Sequence, residues 1–113
     1  MTSVAKDTSR TLADFRRLVN LTPSQLDSWL QGDTSRKAGQ HKHGGESTGH
    51  ASGRRIVRIL NTAKADLTDD DLAHMRKVTG YIKRHLAQRP DGDIRESTWR
   101  YSLMNWGHDP LKD

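Results

Sequence analysis

The stretch TDDDLAHMRKVTGYIKRHLAQRP, residues 68–90, decides the fold class of this chain. Leu72, Met75, Val78, Thr79, Ile82 and Leu86 recur at helical spacing. They make an apolar arc of about 120° on a helix and do not fit the two-residue alternation of a strand. Thr68 is placed to cap the start, and Asp69, Asp70 and Asp71 set carboxylates at the positive end of the helix dipole. Pro90 with Asp91-Gly92 ends the run. Outside the arc, Arg76 and Lys83 line one edge, Lys77 and Arg84 lie further round, and His74, Tyr81 and His85 form a third strip. Gly80 falls on the polar side, where it costs about 1 kcal/mol against alanine. Close approach of another backbone or of a ligand is one reason for it.

Immediately upstream lies GGESTGHASGRRIVRILNTAK, residues 44–64. Ile56, Ile59, Leu60 and Ala63 share one helical face, with Arg54, Arg55 and Arg58 on the other. The spacing predicts a helix from about Gly53 to Lys64, which puts Arg54 and Arg55 in its first turn. Cations there oppose the dipole at a few tenths of a kcal/mol each, up to about 1. An anion held at the helix start would explain them, with Gly49, Ser52 and Gly53 letting the backbone come close. Residues 32–52 have no periodicity and carry Gly39, Gly44, Gly45 and Gly49 among His41, His43 and His50. We expect a long, flexible, basic loop there, of the length that is usually functional or disordered.

Working outward, Thr22-Pro23-Ser24-Gln25 has the form of a capping box with proline at the first helical position. The helix that follows buries Leu26, Trp29 and Leu30 and stops near Gly32. Leu12, Phe15, Leu18 and Val19 predict a helix over Thr11–Asn20, preceded by a flexible N-terminus at 1–10. Trp99, Leu103 and Trp106 share a face between Ser97 and Trp106, with Gly107 as cap and Pro110 as stop. The expected architecture is all-α: one domain over 11–113, a small bundle of about five short helices with the long glycine-rich loop between the second and third. Trp29, Trp99 and Trp106 belong to the core by spacing. Tyr81, off the apolar arc, is the aromatic expected to be available for contact.

Composition narrows the function. The 113 residues include 19 Lys and Arg against 14 Asp and Glu, a net of +5. Residues 32–65 alone hold 7 basic and 2 acidic side chains, so the middle of the chain carries the whole excess. Only 32% of residues are hydrophobic, so the core is small, and a homodimer or a bound polyanion would add stability. The absence of cysteine excludes disulfide and thiol chemistry. No apolar run approaches the roughly 18 residues of a membrane helix, and no secretory h-region opens the chain. We therefore expect a cytoplasmic protein, nucleoid-associated in a bacterium or nuclear in a eukaryote.

The words GESTGHASGRRIV, TDDDLAHMRKVTGYIKRHLAQRP and WRYSLMNWGHDPLK resemble a known family, the domain of unknown function 3140, which comprises short bacterial and fungal proteins. The resemblance runs from about Phe15 to Lys112. Members are often labelled DNA-binding proteins, so it implies nucleic-acid binding. It assigns no residue a role.

From the residues themselves, the expected function is non-enzymatic, largely sequence-nonspecific binding of duplex DNA through phosphates. The expected contacts are Arg36, Lys37 and Lys42 from the loop, Arg54, Arg55 and Arg58 from the arginine-faced helix, and Arg76, Lys77, Lys83 and Arg84 from the long helix. The bland alternative is a solvated charged face for either helix, pairing with Asp69 to Asp71 for Arg54, Arg55 and Arg58, and a floppy solubilising loop for the loop cations. The rival function is a protein-interaction module in stress response, with an acidic partner and the C-terminal tryptophan-rich element as its docking face. No cofactor is expected. His41, His43 and His50 are joined by no cysteine and by Glu46 as the carboxylate ligand of the loop, too little for a zinc site, and His74 and His85 are not at the i, i+4 spacing of a helical pair. Gly44 to Gly49 has the first spacing of a phosphate-binding loop, but His50-Ala51 replaces the lysine and hydroxyl residue it needs. No acid–base pair stands out for catalysis.

Overall fold

The structure, a computed structural model, describes residues 2–38 and 48–112, with side chains described over 8–35 and 49–112. Among the described residues are six α-helices and no strand: α1 (Thr2–Leu18), α2 (Pro23–Leu30), α3 (Asp33–Ala38), α4 (Thr48–Leu60), α5 (Asp69–Leu86) and α6 (Thr98–Asn105), with a 3-10 turn, Lys64–Asp66, before α5. The chain is all-α, as its periodicity predicts.

Helix α5 forms as the caps and apolar arc dictate. Thr68 Oγ1 accepts from the Asp71 backbone N–H at 3.1 Å, and the Asp71 carboxylate accepts from the Thr68 N–H at 3.1 Å. Two donors that a helix start leaves unpaired are thereby satisfied. Met75, Val78 and Ile82 are fully buried. Helix α1 packs along α5 and α2 packs against α4. Leu12, Phe15 and Val19 of α1 and its end, Leu26 and Leu30 of α2, Ile56 and Ile59 of α4, and Leu103 and Trp106 around α6 complete one core.

Helix α6 covers the third strip of α5, and the two helices interleave their rings. His74 stacks on Trp106 (6.4 Å between centroids), Trp106 on Tyr81 (4.2 Å), Tyr81 on His85 (5.1 Å) and His85 on Trp99 (5.9 Å), all within 15° of parallel. Arg89 closes the ladder 5.8 Å over Trp99. Aromatic pairs of this kind contribute about 0.5–1.5 kcal/mol each beyond burial. The Trp99 indole donates to the His85 carbonyl at 2.7 Å, so the ladder is also pinned at its end. Tyr81, expected to be available for contact, is instead half-buried between two rings. The strip was polar enough to read as surface, but α6 lies on it.

Three boundaries differ from the sequence reading. Helix α1 begins at Thr2 rather than Thr11, because extending a formed helix adds one hydrogen bond per residue fixed and needs no apolar stripe. Of the expected loop at 32–52, residues 33–38 are helical as α3 and 48–52 open α4, while 39–47 lie outside the described residues. The added helix α3 is held by a polar contact that periodicity cannot register. Ser35 is fully buried, its hydroxyl on the Asn105 side-chain oxygen, and its carbonyl accepts from Asn105 Nδ2 at 3.1 Å. The same Asn105 oxygen accepts from the Trp29 indole at 2.8 Å.

The early start of α4 has a packing cause. Gly49 and Gly53 are one turn apart on the face that meets α6 and α2. A Cβ on Gly53 would lie 2.5 Å from the Asn105 carbonyl oxygen and 2.7 Å from Leu30 Cδ2, and one on Gly49 would lie 3.1 Å from Trp106 Nε1. These glycines are the contact surface of a helix, and their lack of side chains brings backbone against backbone. Gly107 ends α6 in the left-handed region (φ 86°) beside Val19, the C-terminal cap the sequence predicts.

Gly53 and Gly80 make a paired test of this packing. Gly53→Ala forces α4 off the α6 backbone and is expected to cost about 1–3 kcal/mol. Gly80→Ala meets only the far end of the Arg84 side chain, 3.1 Å away, and is expected to be neutral or to gain up to about 1 kcal/mol. Urea unfolding of the two variants checks the contrast.

Candidate nucleic-acid interface

The first arginine set is not where a helix-start anion site requires it. Helix α4 begins at Thr48, so Arg54 and Arg55 lie in its middle and Arg58 in its last turn. The conflict with the dipole disappears, and Arg58 sits at the end that favours a cation. Arg55 and Arg58 each place a guanidinium nitrogen 3.5 Å from the Asp71 carboxylate. The chain pairs these arginines internally, which is the bland alternative for them. Two guanidiniums share one carboxylate that also caps α5, and the pairs are long for charge-assisted hydrogen bonds. Arg55 Nε is shielded from solvent and has no hydrogen-bond partner. Thr68 backbone and side-chain donors, with Arg58 and Arg55, hold the Asp71 carboxyl below its usual range against the opposing effect of burial.

His74 sits inside this cluster. Its Nε2 is 3.0 Å from the Ser52 hydroxyl. Burial is the largest cause that lowers its pKa, followed by the charges of Arg55 and Lys77, with Arg58 adding less and the Ser52 contact opposing. Arg55 and Arg58 meet Asp71 at the α4–α5 junction, and the charge of Lys77 acts with theirs on His74. Ser52 is buried, and no oxyanion-binding group faces it among the described contacts, so proximity to a histidine gives no nucleophile.

The second set is distributed as a solvent face. Arg76, Lys77, Lys83 and Arg84 are all exposed on α5. They form two rows, Arg76 with Lys83 and Lys77 with Arg84, about 100° apart around the helix. Lys83 reaches Asp14 of α1 at 3.5 Å. Arg76, Lys77 and Arg84 have no acidic partner among the described residues. The Arg84 guanidinium folds back over Gly80, so this glycine makes room for a cation of its own helix, not for another backbone. The third set is largely out of view: Arg36 and Lys37 lie in α3 with their side chains outside the described residues, and Lys42 lies outside them altogether.

The structure adds cations that the sequence reading passed over. Arg10 and Arg17 of α1 flank Asp14, which pairs with Arg17 at 3.4 Å as well as with Lys83. Arg10, Thr11 and Asp14 face Arg76 and Thr79 across a groove between α1 and α5. The i, i+4, i+7 spacing of Arg10, Asp14 and Arg17 was visible in the sequence. What it lacked was the knowledge that α1 reaches back past Thr11 and lies along α5.

Among the described residues no cluster of three or more His, Asp or Glu side chains is arranged to hold a metal ion. His50 is buried with Nε2 2.6 Å from the Leu30 carbonyl, and His41 and His43 lie outside the described residues. No helix among the described residues is long and apolar enough to cross a membrane.

The two ladder histidines set a pH dependence. Burial lowers the pKa of His85 as it does that of His74, with the Trp99 contact opposing. Below their ordinary 6.5, the unfolded chain takes up protons that the folded chain refuses, so stability falls as pH drops from about 7 towards 5. Asp71, Asp93 and Asp109, whose pKa values are lowered from 3.8, lose their contribution only below that value. A His74→Gln/His85→Gln double variant is expected to flatten the pH 7 to 5 change in urea midpoint and to leave the acid limb in place.

No curated protein and no solved structure matches the chain. The family model for protein of unknown function (DUF3140) matches residues 14–104, which spans the core helices from α1 to α6 and the cation clusters between them. The chain belongs to the DUF3140 family.

Proposed function

We propose that this protein is a non-enzymatic DNA-binding protein, largely indifferent to sequence, whose duplex-facing surface is the solvent face of α5. The observation that carries the proposal is the set of four exposed cations on one helix, three of them without an acidic partner among the described residues. Long flexible cations on a rigid helix suit phosphates, which offer charge and no sequence information. Arg58, with a side chain 66% exposed, extends the surface at the α4 edge. Arg55 and Arg58 enter as partly neutralised residues, because Asp71 competes for them. Association with the chromosome in the cytoplasm follows from a polyanion that is abundant there.

An acidic protein would be drawn to the same cations. The tryptophan-rich C-terminal element offers it little further: Trp106 is 5% exposed and Trp99 is stacked on His85. Among the described residues the one large hydrophobic side chain that stands exposed is Leu111.

Fluorescence anisotropy with a random-sequence duplex between 50 and 200 mM salt tests the proposal. Four phosphate contacts give a slope of log K on log salt of roughly −3.6, about a hundredfold loss over that range. Lys77→Glu/Arg84→Glu is expected to weaken binding to all sequences alike and to reduce the slope by roughly 2. Arg95→Gln, which removes a cation already engaged by Asp93 at 2.7 Å, is expected to leave both unchanged. A flat salt response, or binding that survives nuclease treatment through a protein, sinks the proposal.

A further inference from the structure

The groove between α1 and α5 is lined by Arg10, Thr11 and Asp14 on one side and Arg76 and Thr79 on the other, and has a volume of about 280 Å³. Its charge is out of balance. Arg10, Arg17, Arg76 and Lys83 surround a single carboxylate, Asp14, which is already engaged by Arg17 at 3.4 Å and Lys83 at 3.5 Å. Neither Arg10 nor Arg76 has an acidic partner among the described residues. Both are exposed, while Thr11 and Thr79 beneath them are buried. The Thr79 hydroxyl spends its proton on the Arg76 carbonyl, 3.0 Å away. Two like charges on one groove oppose folding unless something negative lies between them.

We infer that this groove is a phosphate-binding site in which Arg10 and Arg76 grip one phosphate group from opposite sides. The residues set the chemistry. The donors are two guanidinium forks, each able to give two parallel hydrogen bonds to an oxyanion. Inorganic phosphate or a phosphate monoester has oxygens enough for a bidentate pair with each fork, whereas a carboxylate must share its two oxygens to reach two guanidiniums, as Asp71 does with Arg55 and Arg58. The short threonines form a low floor that lets the anion descend between the arginines. The volume lies just under the roughly 300–1,000 Å³ of a site for a drug-sized molecule, so a phosphate group has ample room in it. A phosphodiester of the duplex, with one free oxygen for each fork, and a free phosphate monoester, with more, share the tetrahedral anion that the two arginines face. Duplex as the source rests on the DNA-binding reading above, because Arg76 belongs to the α5 face; the groove itself does not rest on it.

The test uses the full chain and two probes, inorganic phosphate and a random-sequence duplex. Phosphate titration is followed by the Nε–Hε resonances of Arg10 and Arg76 and the backbone amides of Thr11 and Thr79, with acetate at equal ionic strength as the comparison. Shifts at these four residues with phosphate, and a rise in Tm that Arg10→Gln or Arg76→Gln abolishes, support the site. An equal response to acetate, or shifts spread over all surface arginines, overturns it. With duplex, the Arg10→Gln/Arg76→Gln double variant is expected to reduce the salt slope by about 0.9, and each single variant by no more than that, because both residues serve one phosphate. A double-variant loss near twice that value overturns the shared grip. If the wild-type chain binds no duplex, the DNA-binding proposal fails and the phosphate titration still decides the groove; phosphate shifts then assign it to a free phosphate monoester. Both variants remove exposed side chains, and the phosphate titration of the unaltered chain needs neither.

Discussion

The side chain of Asn105 is the joint on which the other packing depends. It is 1% exposed, and a buried amide that lost its partners would cost more than the bonds themselves contribute. Its oxygen takes the Trp29 indole and the Ser35 hydroxyl, and its amide nitrogen serves the Ser35 carbonyl. One residue of α6 thereby holds α2 and α3 in place. Its backbone oxygen meets the bare face of Gly53, which sets how near α4 can come. With α6 located, the tryptophans at its two ends fall between the rings of α5, and the aromatic ladder follows.

A small core makes this arrangement necessary. A chain with 32% hydrophobic residues cannot rely on apolar burial alone to order six helices, so polar contacts fasten the periphery. The segment after α6 shows the same device. Asp109 and Asn20 exchange backbone and side-chain hydrogen bonds at 2.8 and 3.0 Å, and Arg100 grips the Asp109 carboxylate through two nitrogens at 3.1 and 3.0 Å. Lys112 reaches the Asn20 carbonyl and the Gln25 side chain, both at 2.6 Å. The C-terminal tail is tied to the turn between α1 and α2, and its acid is consumed in the process.

The acids decide which cations remain for a partner. Asp71 takes Arg55 and Arg58, Asp14 takes Arg17 and Lys83, Asp93 takes Arg95 and Asp109 takes Arg100. Arg10 and Arg16 on α1 and Arg76, Lys77 and Arg84 on α5 are left without such partners among the described residues. The positive excess counted along the chain lies in the middle segment. On the folded surface most of the described cations without an acidic partner lie on α1 and α5, with Lys64 and Arg89 just outside α5.

The sequence by itself determined the all-α class, the positions and caps of α2, α5 and α6, and most of the core. These follow from local physics: apolar spacing, hydroxyl caps, a proline at the first turn of α2 and a glycine at the end of α6 each act within a few residues. It also named the four cations of α5, since their exposure follows from the same helical spacing. Tertiary structure alone decided the rest. Gly49 read as loop, and Gly53 only as the first residue of the helix, because a helix face that packs through the absence of side chains has no apolar signal. Asp33–Ala38 read as loop because its anchor is Ser35 against an amide seventy positions away. Arg55 and Arg58 read either as anion ligands or as partners of Asp69 to Asp71, and the helix junction that brings Asp71 to them decides it; Arg10 comes to face Arg76 only because α1 lies along α5. A pairwise contact between distant segments leaves no periodicity in either one, so it becomes legible when the chain is folded.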